Sequence, residues 1–358
     1  MSIFKTLLIT FCSILFISAT AQQPSIKILE SGKRISIRGL SVVNDDVIWA
    51  SGTGGSVALS TDAGNTFTWM KVPGYEKMDF RDIEAFDKNT AIIMGITTPA
   101  VILKTIDGGK TWSKVFEDTT KGAFLDAMDF SPNSQHGIVV GDPLDEMHSP
   151  YLLYTDDRGD SWKKIRNIEN PITLADGEAF FASSGSNLKI TENIPWWVLV
   201  SGGKSSKAYV LFQQTDKTWK YYTKGDLLPI KQGTESTGAN SIAMQKGVGN
   251  SYNAVVVGGD FSKDTIASNN CVLFIMHGNL LNIKQPKTFP NGYRSCVIYL
   301  NKKTLLTCGT SGVDISNDGG MNWQLIAKDG FHVCQKAKKG KSVFLAGGNG
   351  KIAKLVFP

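Results

Sequence analysis

Three of the chain's six arginines stand at the entry to short apolar runs: Arg38 in I-S-I-R-G-L, Arg81 in D-F-R-D-I and Arg294 in G-Y-R-S-C. Aligned on the turn that follows each run, one position reads Arg38, Arg81, Leu125, Gly177, Asn240, Arg294 and His332. The next reads Gly39, Asp82, Asp126, Glu178, Ser241, Ser295 and Val333. A guanidinium can hold a carboxylate or phosphate through two parallel hydrogen bonds. Acids beside it can act as general acid or base. The candidate ligand-binding set is therefore Arg38, Arg81, Arg294, Asp82, Asn240, Ser241 and His332, with Asp126 and Glu178 as candidate catalytic acids. The same residues also fit a purely structural role, because a buried charge needs a partner and the two columns supply them to each other. Ser241 has no evident base. A lone histidine such as His332, one of four in the chain, is more often a satisfied channel residue than a ligand. No His/Asp cluster indicates a metal, and no cofactor is expected.

Such columns require a repeating element, and one runs through the chain. Ser60–Phe67 is S-T-D-A-G-N-T-F, Thr105–Trp112 is T-I-D-G-G-K-T-W, Thr155–Trp162 is T-D-D-R-G-D-S-W, and Ser316–Trp323 is S-N-D-G-G-M-N-W. Asp62, Asp107, Asp157 and Asp318 are spaced by 45, 50 and 161 residues. The long gap has room for two degenerate copies, at Thr215-Asp216-Lys217-Thr218-Trp219 and near His277-Gly278-Asn279. An aspartate in a tight turn accepts backbone N–H bonds. Glycine (Gly64, Gly109, Gly159, Gly320) supplies the left-handed backbone. The closing aromatic (Phe67, Trp112, Trp162, Trp323) plugs between sheets. Every member has a structural job, and repetition argues against catalysis. Neither G-x-x-x-x-G-K-S/T nor G-x-G-x-x-G occurs, which disfavours a nucleotide cradle.

Around each octet the pattern is three strands before and one after, as in Gly39–Val43, Val47–Ala50, Val57–Ser60 and Thr68–Val72. Four-stranded antiparallel units of about 40–50 residues stacked radially make a β-propeller. The last unit, ending at Lys351–Phe357, lacks a fourth strand. Ser25–Glu30 stands spare before the first and can complete it, removing two sheet edges. The expectation is an all-β chain of seven blades, or six if the degenerate middle is misread.

The octet resembles the Asp-box, or BNR repeat, of sialidases and other glycosidases, sortilin-type receptors and the photosystem II stability/assembly factor family. Short blades, the D-G-G-K-T-W wording and one compact propeller look most like the assembly-factor family. The resemblance implies an exported, non-photosynthetic binding or assembly module for a protein or glycan ligand. The sialidase resemblance implies an alternative: Arg38, Arg81 and Arg294 would hold a carboxylate and Asp126 or Glu178 would act as acid/base. Against it, Arg38 lacks an F/Y-R-I-P context, and no tyrosine is convincingly paired with a glutamate. An oxidoreductase has neither a dinucleotide fingerprint nor a C-x-x-C behind it.

The N-terminus, with Lys5, an apolar run Leu7–Ile17 and Ala19-Thr20-Ala21, reads as a signal peptide cleaved after Ala21. It is too short to span a bilayer, and no later run is long enough. Residues 22–358 then form the propeller, secreted or periplasmic and monomeric. Losing Lys5 and no acid takes the formal charge from +6 to +5. The one dense basic run, Lys336, Lys338, Lys339 and Lys341, is better explained as a turn than as a nucleic-acid surface. Cys12 leaves with the leader. In the Arg294–Leu300/Thr304–Gly309 hairpin, Cys296 falls opposite Cys308, within disulfide range, while Cys334 competes from the next unit. Free thiols are the alternative. Three polar loops could carry function: Gly141–Pro150, Ser183–Asn187 and Glu235–Ser241.

Overall fold

A computed structural model of the chain describes residues 23–132, 135–191, 196–214, 217–278 and 280–358. The leader, Cys12 and parts of both degenerate octets (Thr215, Asp216, Asn279) lie outside the described residues. The fold is all-β, and its strands form seven sheets arranged as propeller blades.

Blade one comprises Ile37–Val42, Ile48–Gly52, Ser56–Ser60 and Thr68–Lys71. Blade two comprises Phe80–Ala85, Ala91–Gly95, Ala100–Thr105 and Ser113–Asp118. Blade three runs from Leu125–Phe130 through Gly137–Gly141 and Tyr151–Thr155 to a two-residue edge, Lys163–Lys164. Blade four is Leu188–Ile190, Trp196–Val200, Lys207–Gln213 and Trp219–Tyr221, with Ile168–Glu169 added in parallel at its outer edge. Blade five has two ten-residue strands, Thr237–Lys246 and Ser251–Asp260, followed by Cys271–His277 and Leu280–Lys284. Blade six is Cys296–Tyr299, Leu305–Gly309, Gly312–Ser316 and Gln324–Ala327. Blade seven is Val333–Lys336, Val343–Ala346 and Ile352–Val356. Its fourth strand is Ser25–Glu30, paired antiparallel from Ser25 opposite Val356 to Glu30 opposite Ile352. The seven-blade count and the closure by the N-terminal strand are as the repeat predicts.

The second strands, such as A-I-I-M-G in blade two, are almost entirely buried because each sheet has a neighbour on both faces; only Trp196 and Asn253 among them are partly exposed. Continuous apolar runs, rather than alternation, are the signature of that environment. The inner strands are polar for a different reason. Ser41 Oγ accepts Ala85 N (3.0 Å), Asp82 Oδ2 accepts Met128 N (2.8 Å), Asp129 Oδ2 accepts Ile190 N (2.8 Å), and Ser241 Oγ accepts Val297 N (3.0 Å). Each bond laces one inner strand to the backbone of the next, where no sheet ladder can form.

The octets close the outer hairpins. In Thr105–Trp112, Thr105 Oγ1 donates to Asp107 Oδ1 (2.8 Å) and accepts Gly109 N (3.0 Å). Asp107 then takes the amide of Thr111 (2.9 Å) and its hydroxyl (2.6 Å). The same bonds recur in Ser60–Phe67, Thr155–Trp162 and Ser316–Trp323, with Ser161 or Asn322 in place of the final threonine. The Thr66 and Thr111 hydroxyls, and then the amides of those residues, draw Asp62 and Asp107 down to about 2. The octet glycine is also the contact with the preceding blade. At Gly159 (φ +76°) a Cβ would lie 2.2 Å from Ile92 Cδ1 of blade two.

The Cys296–Cys308 register is as the sequence predicts. The disulfide is not formed: Cys271, Cys296, Cys308 and Cys334 are free, buried thiols. Cys296 Sγ instead donates to Cys334 O (3.3 Å) and accepts from Ser186 Oγ (3.8 Å).

Candidate functional site at the channel mouth

Strand direction separates the two ends of every blade. The octet joins strands three and four, so alternation places it at the end opposite the start of strand one. A cavity of about 510 Å³ opens at that start, a volume typical of ligand sites.

The side chains that line it are set by a repeated β-bulge. Ile37, Phe80, Leu125 and Ala239 pair with Gly52, Gly95, Gly141 and Gly258, and the register then skips one residue. The skipped residues are Arg38, Arg81, Asp126 and Asn240, and all four line the cavity. A bulge turns its extra residue off the pleat. In blade six a Cβ on Gly309 would lie 3.0 Å from the Cα of Arg294, as one on Gly52 would lie 3.1 Å from the Cα of Ile37. Arg294 thus takes the place of Ile37, and Ser295 faces the cavity. In blade seven Gly347 lies over Phe331, and His332 faces inward.

The structure corrects three of the expected ligand-binding residues, Arg294, Asp82 and Ser241, and one candidate catalytic acid, Glu178. Arg294 is fully buried and ion-paired with buried Asp314, which accepts its Nε at 2.6 Å. Its remaining N–H groups reach Tyr293 O, Ser311 Oγ and Asn291 O. Asp82 lies outside the mouth cavity and carries the interblade bond to Met128. Burial pushes its carboxyl up, against the two amides it accepts. Ser241 is buried in the channel wall. Glu178 belongs to a short strand paired with Gly202–Gly203 rather than to an inner strand. It accepts Ser201 Oγ and Tyr209 Oη at 2.5 Å each, and Lys207 Nζ at 2.8 Å. It is a closed node, with no free oxygen for acid/base work in the cavity.

The cavity floor was not foreseen. Ala182–Asn187 does not extend blade four; it plugs the channel. Arg38 Nη1 donates to Ser183 O (3.1 Å) and Arg81 Nη1 to Ala182 O (3.3 Å). Ser184 Oγ donates to Ser295 O (2.7 Å), Ser186 Oγ to Ser241 Oγ (2.7 Å), and Ile242 N to Ser186 O (2.8 Å). Gly185 (φ +65°) passes so close to Asp82 that a Cβ would meet its carboxyl at 2.2 Å. The run of small residues in S-S-G-S-N is the sequence signal: only such a run fits a channel this narrow.

The two remaining arginines differ. Arg81 Nε is paired with Asp79 at 2.8 Å. Arg38 has no carboxylate within ion-pair distance among the described residues, and its one hydrogen bond is to Ser183 O. Burial, then Arg81, lowers its pKa. His332 Nδ1 is 3.0 Å from Ile37 O. Burial, then Arg38, lowers its pKa to about 4, so it is neutral at pH 7. Asp126 is fully buried, and no well-aligned hydrogen bond reaches either carboxyl oxygen; the amides of Ala182 and Asp142 offer it only poorly aligned donors. Burial and then Asp142 hold its pKa well above the carboxylate range. Asp142, which accepts Phe180 N at 3.2 Å, is raised by burial too. Aromatic rings complete the walls. Phe261, half exposed at the rim, contacts Phe181 and Tyr293 edge-on at 6.0 and 6.1 Å.

The fold has solved counterparts. The chain is similar in fold to YCF48. It aligns with a structure described as YCF48 bound to D1 peptide at a TM-score of 0.63 and 15% identity, covering 94% of this chain and 98% of that one. YCF48 from Cyanidioschyzon merolae aligns at 0.60 and 16%, covering 92% and 98%. The GH74 xyloglucanase from Xanthomonas campestris aligns at 0.57 and 14%, covering 92% of this chain but 53% of the enzyme's. These likenesses carry the fold. No family model and no curated protein matches the sequence. No helix among the described residues is long and apolar enough to cross a membrane.

Proposed function

We propose that the chain is an exported, non-catalytic binding module whose ligand is a segment of another protein, taken into the mouth cavity by an anionic group. The observation that carries this reading is the open guanidinium of Arg38. A half-buried cation with no carboxylate partner, beside a second arginine and under an aromatic rim, favours an incoming carboxylate. YCF48, with its bound peptide, supports a peptide rather than a glycan as the ligand. The test is fluorescence anisotropy with labelled peptides carrying a free or an amidated C-terminus. Binding that needs the free carboxylate and is lost in Arg38→Met supports the reading. Equal binding of free and amidated peptides by both proteins overturns it.

A second reading, glycoside hydrolysis, has one feature in its favour: a cavity acid, Asp126, whose pKa burial pushes up, the direction a general acid needs. Its own discriminator is turnover of a β-glucan or sialoside by the purified chain that disappears in Asp126→Asn.

A further inference from the structure

The cavity has a second pole that the arginines do not use. Asp126 is buried at the cavity wall, and neither oxygen has a well-aligned hydrogen bond, the Ala182 and Asp142 amides being its only backbone donors. Asp142 stands beside it, on the loop that follows the second strand of blade three, and has a single amide from Phe180. The charged groups that face Asp126 are Arg81 and Asp142. Arg81 is already engaged, through Nε with Asp79 and through Nη1 with Ala182 O. A fully buried carboxyl without a well-aligned partner destabilises the fold. Nothing in the folding of blade three demands it, since the equivalent positions of other blades carry arginine, asparagine, serine and histidine.

Resting on the peptide reading above, we propose that this acid pair is a subsite for a protonated amine or guanidinium, so that the ligand is a protein segment ending in a basic residue. The ammonium of a C-terminal lysine would lie against Asp126 and Asp142, between the rings of Phe124 and Phe180, and its α-carboxylate would meet Arg38. A cation satisfies both carboxyls at once and restores their ionisation, which a neutral hydroxyl donor cannot do. Aromatic walls add attraction for the same group. Cation and carboxylate within one residue is the simplest peptide chemistry that matches two opposite poles in a single cavity. The pair titrates as a unit. Affinity for a lysine-ended peptide therefore falls as the pH is lowered and the pair gains its shared proton.

The experiment compares three labelled pentapeptides of one sequence, ending in lysine with a free carboxylate, norleucine with a free carboxylate, and lysine amide. The expected order is lysine acid at least tenfold tighter than norleucine acid. Asp126→Asn and, separately, Asp142→Asn should erase that difference, with native circular dichroism confirming the fold. Asp126→Asn should also raise the melting temperature at pH 7, because it removes an acid that is costly to ionise. Equal binding of lysine and norleucine peptides overturns the cation subsite and leaves the carboxylate reading standing. Equal binding of lysine acid and lysine amide overturns the carboxylate reading alone. Failure of all three to bind overturns both.

Discussion

The two ends of the blades differ in how completely their polar groups are satisfied. At the octet end, Asp62, Asp107, Asp157 and Asp318 each accept hydroxyl or amide donors from within eight residues of sequence, and the same bonds recur four times. At the mouth end the equivalent positions carry Arg38, Arg81, Asp126, Asn240, Ser295 and His332, no two blades being alike except blades one and two. There, among the described residues, Arg38 has no ion partner and Asp126 has no well-aligned hydrogen bond. The repeated end builds the ring, and the end that breaks the repeat holds the unsatisfied chemistry. Arg294 marks the boundary between them. One residue away from the bulge, the same side chain becomes a closed structural ion pair.

The sharpest way to break this contrast is to open the closed arginine. Arg294→Ala leaves Asp314 buried and unpaired, and should cost about 3–5 kcal/mol, read by chemical denaturation. If it costs no more than Arg38→Met, the distinction between the two arginines fails. His332 gives the next effect. Its pKa of about 4 in the folded chain lies below the ordinary 6.5, so the unfolded chain binds the proton first. Stability is therefore lost as pH falls from 6.5 toward 4, by up to about 3 kcal/mol. In His332→Gln that slope should flatten. At the octet end, Thr105→Val removes a buried hydroxyl that both donates and accepts, and should cost about 1–3 kcal/mol without altering peptide binding. Smallest in stability is Arg38→Met, expected within about 0.5 kcal/mol of wild type, while peptide affinity drops at least tenfold. A large loss of stability there would place Arg38 with Arg294.

Much of the scaffold is legible in the residues. The octets, the interval between them and the orphan strand Ser25–Glu30 follow from hydrogen bonds and apolar runs that are local, so a single sequence displays them. The hairpin register that sets Cys296 opposite Cys308 is local too. Half of the candidate site is equally visible: Arg38, Arg81, Asn240 and His332 fall at bulge positions in every alignment. Asp126 was placed one column away, and Asp142 was visible only as part of a polar loop. A bulge shifts the facing side chain by one residue, and blades three and six place it differently relative to the following turn. That one-residue slip put Asp126 and Arg294 in the wrong column, while Asp82 and Ser241 stand in the column that turns away from the cavity.

The amino-acid sequence by itself determined the four-stranded repeat and its order, because those rest on contacts between neighbours along the chain, and the spare strand Ser25–Glu30 beside an incomplete last unit marked how the ring closes; the count of seven rather than six came from the structure. Only the tertiary structure decided which charges are free. Arg294 finds Asp314 from the next hairpin, Glu178 finds Tyr209 from blade four, and Arg38 meets Ser183 from a segment 145 residues away. Whether a cation is paired depends on what the closed ring brings beside it, and no local pattern encodes that. The plug at Ala182–Asn187 follows the same logic, since a loop becomes a channel floor only once seven blades have enclosed it.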